Sequence, residues 1–310
     1  MSEQTAFIEV KNLSKVYGLF SKFRALDDVN LNIAKGETFG LIGPNGAGKT
    51  TLMGCLLGLL RPSTGSMSID GKSVNDISVR VLTGFVPERP NFDAWMIVEN
   101  FLHYHHMLAQ QPKENAQEDV AQALVDVGLQ PEIGKRLIRK LSRGMLQRLG
   151  LAQLIVGKPQ ICFLDEPTSG VDPLGMSLVR DLLFRWKREG KTVIINSHHL
   201  DQVEKVCDRV AFIQGGKIKS IEELVPTARS KQAFMIRWGV LVPSSELITK
   251  IAQENQIECQ AIKETSAHFL LSAKSESSKL LKAFIQADIQ IEEALYEQKD
   301  LVELFKKDRE

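Results

Sequence analysis

The residues 43–51, Gly43-Pro44-Asn45-Gly46-Ala47-Gly48-Lys49-Thr50-Thr51, carry the strongest chemical signal in the chain. They fit the spacing G-x-x-x-x-G-K-[ST], in which glycines let successive backbone N–H groups turn inward around an anion. The apolar run of residues 38–42 before them reads as a strand, and residues 51–57 after them read as a buried helix start. Strand, glycine loop and helix N-terminus together cradle phosphate, because the helix dipole adds partial positive charge there. Lys49 is then placed to reach the β- and γ-phosphates of a nucleoside triphosphate, and the Thr50 hydroxyl to ligate Mg²⁺. A second signal lies at residues 160–164, a buried-strand pattern that runs into Asp165-Glu166. Asp165 is expected to hold Mg²⁺, directly or through water. Glu166, one residue on, is expected to polarise an attacking water as general base.

A third segment, Leu141-Ser142-Arg143-Gly144-Met145-Leu146-Gln147-Arg148, opens a helix with a serine. Ser142 either caps that helix or, with the helix N-terminus, makes a second anion site. One chain has no evident need for two separated triphosphate sites. Two chains facing head to tail do, each helix closing the other chain's phosphate loop.

The elements that must position these residues follow from periodicity. Residues 6–36 alternate apolar and polar in two runs and suggest an antiparallel flap. Tyr17, between those runs, either stacks on a nucleotide base or packs as an ordinary tyrosine. Residues 81–86 read as a strand that Pro87-Glu88-Arg89-Pro90 stops. Residues 95–157 form an all-helical insert, with amphipathic stretches at 98–108, 118–127 and 141–156. A helix over 173–188, a strand over 192–196 ending at Ser197-His198, and one strand over 208–218 closed by Gly215-Gly216 follow. Parallel strands separated by helices imply a doubly wound sheet with its ligand at the strands' C-terminal ends. Gly43, Glu88, Asp165 and His198 fall at those ends. His103, His105 and His106 read as an exposed helix face rather than a metal site, since acidic neighbours are few and no cysteine is near. The basic residues Lys135, Arg136, Arg139, Lys140, Arg143 and Arg148 read as a solvated face preceding a helix.

Beyond about residue 222 these signals stop. Strand patterns at 232–238, 258–263, 268–273 and 289–296 interleave with helical patterns at 245–254, 277–287 and 301–306. The order suggests a ferredoxin-like α+β module, and no catalytic cluster stands out in it.

The chain's 310 residues allow one large domain and a smaller one, and its formal charge of +1 gives no nucleic-acid footprint. No nucleic-acid partner is expected. The N-terminus lacks a signal-peptide pattern and the longest apolar run, residues 52–60, is too short to cross a bilayer, so any membrane role is expected to come through another chain. Cys55, Cys162, Cys207 and Cys259 lack metal-ligand spacing and read as reduced thiols.

Residues 6–222 resemble an ATP-binding-cassette ATPase. GPNGAGKTT is similar to the family's phosphate loop, LSRGMLQR to its signature LSGGQxQR, and CFLDEPTSGVDP to its Mg-binding strand, catalytic Glu and following loop. The resemblance implies a P-loop NTPase core with an antiparallel β flap and an inserted helical subdomain, about residues 90–157, in a domain of residues 1–222. The ferredoxin-like domain would be residues 223–310. It implies ATP and Mg²⁺ as ligands, Tyr17 as the adenine-stacking residue, and a nucleotide held by Gly43, Asn45, Gly46, Ala47, Gly48, Lys49, Thr50 and Thr51. Glu88 falls at the family's glutamine that links Mg²⁺ and lytic water to the permease, His198 at its γ-phosphate histidine, and Asp172 at the residue that couples two sites across a dimer. Ser142 and Gly144 would be the closest γ-phosphate contacts across that dimer. Two departures stand out. Glu88 replaces the glutamine and is expected to cost only modest turnover, and Arg143 and Met145 replace a glycine and a glutamine of the signature. Arg143 either adds a charge-assisted contact or faces solvent.

Residues 299–305 resemble the close of C-terminal domains on bacterial exporter-type cassettes. The resemblance therefore implies an exporter's ATPase subunit, on the cytoplasmic face of the membrane, dimeric beneath a separate multispanning permease that Trp95 and Met96 would contact unless they pack in the core. The alternatives are a soluble ATPase acting on DNA or ribosomes, without the paired cassettes usual there, and an importer subunit. A small-molecule kinase shares the loop but not the signature, the Asp-Glu pair and His198 together.

Overall fold

A computed structural model describes residues 6–18, 22–197, 200–224, 232–239, 243–272 and 274–296. The chain divides into two compact units, Met1–Glu223 and Leu224–Glu310.

The first unit begins with β1 (Ile8–Tyr17), β2 (Phe23–Ile33), β3 (Thr38–Ile42), α1 (Lys49–Leu56), β4 (Thr64–Ile69), β5 (Lys72–Ser73), α2 (Ile77–Leu82) and β6 (Thr83–Val86). Three helices follow, α3 (Val98–Leu108), α4 (Ala116–Asp126) and α5 (Arg143–Gly157). The unit closes with β7 (Ile161–Asp165), α6 (Pro173–Arg188), β8 (Thr192–Asn196), α7 (Leu200–Val206), β9 (Arg209–Gln214) and β10 (Lys217–Glu223).

Two sheets result. The flap is antiparallel in the order β2-β1-β4-β5, with Ile8 opposite Ile33 and Tyr17 opposite Phe23. The main sheet runs β10-β9-β3-β8-β7-β6, parallel from β9 to β6. Every residue of β3, β7 and β8 is buried. Central parallel strands are covered on both faces, so their sequences are apolar without alternation. Flap and main sheet share a core in which Ile8, Leu31 and Ile33 meet Phe39, Leu52 and Phe163. Cys55, Cys162 and Cys207 are buried free thiols of this unit.

Two expectations need correction here. Residues 81–82 are not strand: Asp76 caps α2 by accepting from the Ser78 N–H (2.8 Å), and the helix runs on through Val81 and Leu82. Val81 is apolar yet 67% exposed, so hydropathy misrepresented its place. Residues 208–218 are not one strand either. β9 and β10 pair antiparallel about Gly215-Gly216, and β10 alternates exposed and half-buried residues as an edge strand does.

The insert packs α3, α4 and α5 together, and its histidines depart from the exposed face expected of them. His106 is fully buried, its Nε2 3.0 Å from Asp119 Oδ2, and Lys158 Nζ donates to the same carboxylate (2.7 Å). A single carboxylate on α4 thus joins α3 to the end of α5. Among the described residues no His, Cys, Asp and Glu group is arranged to hold a metal ion by itself. The basic stretch is likewise not simply solvated. Arg148 Nη1 donates to Gly128 O (3.1 Å), and the Arg139 guanidinium lies 4.0 Å over the Trp95 ring.

The second unit comprises β11 (Gln232–Trp238), α8 (Ser245–Glu254), β12 (Glu258–Ile262), β13 (Ser266–Leu271), α9 (Lys274–Gln286) and β14 (Ile291–Tyr296). Its sheet is antiparallel in the order β12-β13-β11-β14, a ferredoxin-like arrangement. Phe234, Ile236 and Trp238 of β11 pack with Ile248 and Ile251 of α8 and Leu280 and Phe284 of α9. The free thiol of Cys259 is half-buried there. The helix expected over 301–306 and the ending at 299–305 lie outside the described residues.

Candidate nucleotide site

The loop after β3 is shaped by its glycines. A Cβ at Gly43 would fall 2.1 Å from Ile213 O on β9, so only glycine lets the chain turn there. Gly48, the residue before α1, has φ +107 in the left-handed region, where a side chain is strained. Lys49, the first residue of α1, is buried and donates through Nζ to Gly43 O (2.6 Å) and Pro44 O (3.1 Å). An ammonium has three protons, so the loop carbonyls fix its direction and leave one for a phosphate oxygen. Burial lowers the Lys49 pKa, and the Glu166 and Asp165 carboxylates pull it back up.

Residues 45–51 share a cleft of about 200 Å³ with Glu88, Asp165, Glu166 and Asn196, and Phe23 and Ala25 of β2 complete its wall. The ends of β7 and β8 are in register, Asp165 opposite Asn196. Asn196 Nδ2 donates to Asp165 Oδ1, and Asn196 Oδ1 is buried with no hydrogen-bond partner among the described residues. Burial raises the Asp165 pKa; the Asn196 bond and Lys49 lower it, while Glu166 and Glu88 raise it further. Glu166 is buried at φ +48, an uncommon backbone conformation for a residue with a Cβ. Its N–H donates to Asn196 O (2.8 Å), and Ser197 Oγ donates to its Oε2 (3.3 Å). Asp165 and Glu166 act on one ammonium, and Thr50 and Glu88 line the same cleft, so its oxygen donors are of the kind a hard divalent cation takes beside phosphate.

The expected site residues divide into two groups. Loop residues 45–51, Glu88, Asp165 and Glu166 line one cleft, whereas Gly43, Tyr17, Ser142, Gly144 and Asp172 do not. Tyr17 ends β1 opposite the cleft residue Phe23, with Lys15 Nζ 5.0 Å over its ring. Ser142 is exposed and caps α5, accepting from the Met145 N–H (3.3 Å). Asp172 caps α6, accepting from the Gly175 N–H (2.8 Å). His198 lies outside the described residues. Asn196, Ser197 and Phe23 were not foreseen. Only the first had a signal, a polar residue closing an apolar strand. A larger cavity of about 370 Å³ opens beside α6 and α7, but its lining lacks carboxylates.

Strand, glycine loop, helix and acidic strand end define a nucleoside-triphosphate hydrolase. A family model described as ABC transporter matches residues 26–169. An uncharacterized ABC transporter ATP-binding protein of Synechocystis, sll0415, is 35% identical over 261 residues, covering 82% of this chain and 74% of that protein. The bacitracin transport ATP-binding protein BcrA of Bacillus licheniformis is 31% identical over 292 residues, covering 93% of this chain and 92% of that protein. The ATP-binding cassette MJ0796, solved as a post-hydrolysis dimer bound to ADP and Pi, superposes with a TM-score of 0.65 at 25% identity, covering 71% of this chain and 100% of that one. The chain belongs to the ABC transporter family of ATP-binding proteins. It is an ATP-binding ATPase subunit whose hydrolysis serves transport, and a role on DNA or ribosomes is not favoured. Among the described residues no helix is long and apolar enough to cross a membrane.

Proposed function

We propose that this chain powers export through a separate multispanning permease, held on the cytoplasmic face of the membrane as a homodimer that ATP closes and hydrolysis reopens. The observation that carries the reading is the split of the site. Lys49, Asp165 and Glu166 share one cleft, while the exposed start of α5 at Ser142 stands outside it. A second copy placed head to tail would bring that helix start to the nucleotide. The loop residues and Lys49 hold the phosphates, and Tyr17 meets the adenine, with Phe23 beside it. Asp165, Thr50 and Glu88 are the residues that would hold Mg²⁺. When bound, Mg²⁺ neutralises charge on the β- and γ-phosphate oxygens. Glu166, fixed by Ser197 and the Asn196 carbonyl, accepts a proton from the attacking water. His198 contacts the γ-phosphate. From the partner, Ser142 and Gly144 reach the same phosphate and Asp172 couples the two sites.

Trp95, 68% exposed and stacked by Arg139, supplies an aromatic surface for the permease, next to the half-buried Met96. The likeness to BcrA over nearly its whole length supports a transport partner, and the ferredoxin-like unit, residues 223–310, serves as an accessory domain. The test is to trap Glu166→Gln with ATP in detergent extracts of native membranes and identify what co-purifies. A stoichiometric multispanning protein is the expected result. Ribosomes or DNA in its place would remove the permease from the account.

A further inference from the structure

Arg143 stands where the family signature has a glycine, and its side chain is engaged. Nη2 donates to Ser169 Oγ (2.9 Å). The stem lies so close to Gly170 that a Cβ there would fall 3.0 Å from both Arg143 Cδ and Nε. One residue on, a Cβ at Gly144 would fall 2.9 Å from Gly170 O. The start of α5 therefore rests directly on the 169–170 backbone. That backbone leads to Glu166: the Ser169 N–H donates to Glu166 O (3.0 Å), and Gln147 Nε2, one turn along α5, approaches the same carbonyl at 3.5 Å. Glu166 itself is held at φ +48 by this turn, so the direction of its carboxylate depends on where residues 167–170 sit.

We propose that Arg143 is a positioning residue for hydrolysis. Through Ser169 it makes the start of α5 and the turn carrying Glu166 move as one body. Closure of α5 on the partner's nucleotide then sets the general base of its own chain. The inference rests on the head-to-tail reading above and adds to it a link inside each chain, between the residues that sense one nucleotide and the base that acts on the other. The signature keeps Ser142 and Gly144 for phosphate, and the arginine between them points back into its own chain.

The test compares steady-state ATP hydrolysis by the full chain with that of Arg143→Ala, Arg143→Lys, Ser169→Ala and the double alanine variant. Each alanine change is expected to lower kcat roughly three- to tenfold, the net scale of one exposed hydrogen bond, and to leave KM for ATP within about twofold. The double variant is expected to be no slower than the slower single one, with Tm unchanged throughout, and lysine to restore part of kcat. Multiplying effects in the double variant would overturn the link. So would a raised KM at unchanged kcat in Arg143→Ala, which would put the guanidinium on nucleotide instead. The underlying reading is checked separately in the Glu166→Gln background by gel filtration with ATP. Loss of the dimer in Ser142→Glu but not in Arg143→Ala supports both. A dimer that survives Ser142→Glu removes the head-to-tail reading, and the inference falls with it.

Discussion

Asp165 ionises against its surroundings, because burial first, and Glu166 and Glu88 after it, raise its pKa more than Asn196 and Lys49 lower it. A raised carboxyl pKa means the folded chain binds that proton more tightly than the unfolded chain. Stability is therefore lost as pH climbs from the ordinary aspartate range through the raised value, and the full penalty is present above that value. Asp165→Asn keeps an oxygen for the Asn196 Nδ2 donor and removes the penalty. Its Tm at pH 7, measured without nucleotide or Mg²⁺, is expected to equal or exceed that of the parent. The difference is expected to vanish at a pH below both values, while kcat falls at least about a hundredfold. Lys49, Asp165 and Glu166 were legible in the sequence because their chemistry is written in adjacent residues. Asn196 was not, since its role comes from the register of β7 on β8, and thirty-one positions separate the pair. The same holds for Arg143 and Ser169, which only the packing of α5 on the turn after β7 brings together.

At the scale of the element, the loop after β3 is built by what its glycines exclude. Gly43 meets a backbone carbonyl of β9 that cannot yield, whereas Gly46, at φ +80, has nothing within 4 Å of an added Cβ. Gly43→Ala is expected to cost about 1–3 kcal/mol in urea unfolding and to abolish nucleotide binding, since the strand end and loop must shift. Gly46→Ala carries backbone strain alone and is expected to cost roughly 1 kcal/mol, binding included. Strands such as residues 192–196, with Val193, Ile194 and Ile195 in a row, were legible because burial on both faces leaves a plain signal. α2 was misread because exposed Val81 imitates a strand residue, and β10 was merged with β9 because its alternating polar face carries little hydropathy.

The whole molecule is two units with separate cores, one around the flap and main sheet and one around Trp238, Phe269 and Phe284. Only the first contains the cleft. A scanning calorimetry trace is therefore expected to resolve two transitions, and saturating ATP in the Glu166→Gln chain to raise one of them. At about a hundredfold excess over Kd the gain is about 2.7 kcal/mol, confined to the first unit. A single transition that shifts as a whole would mean that the units unfold together.

The cysteines make each unit's opening chemically audible. Burial pushes the Cys162 thiol up to about 12 and Cys207 higher still, and raises Cys55 and, in the second unit, half-buried Cys259. Alkylation proceeds through the thiolate. At neutral pH, iodoacetamide is therefore expected to leave the folded first unit intact and to mark Cys162 and Cys207 only as its sheet comes apart. Cys259 keeps a separate clock for the second unit. Peptide mass spectrometry of a labelling time course would then say which unit opens first, and ATP would slow three of the four clocks while leaving the fourth running.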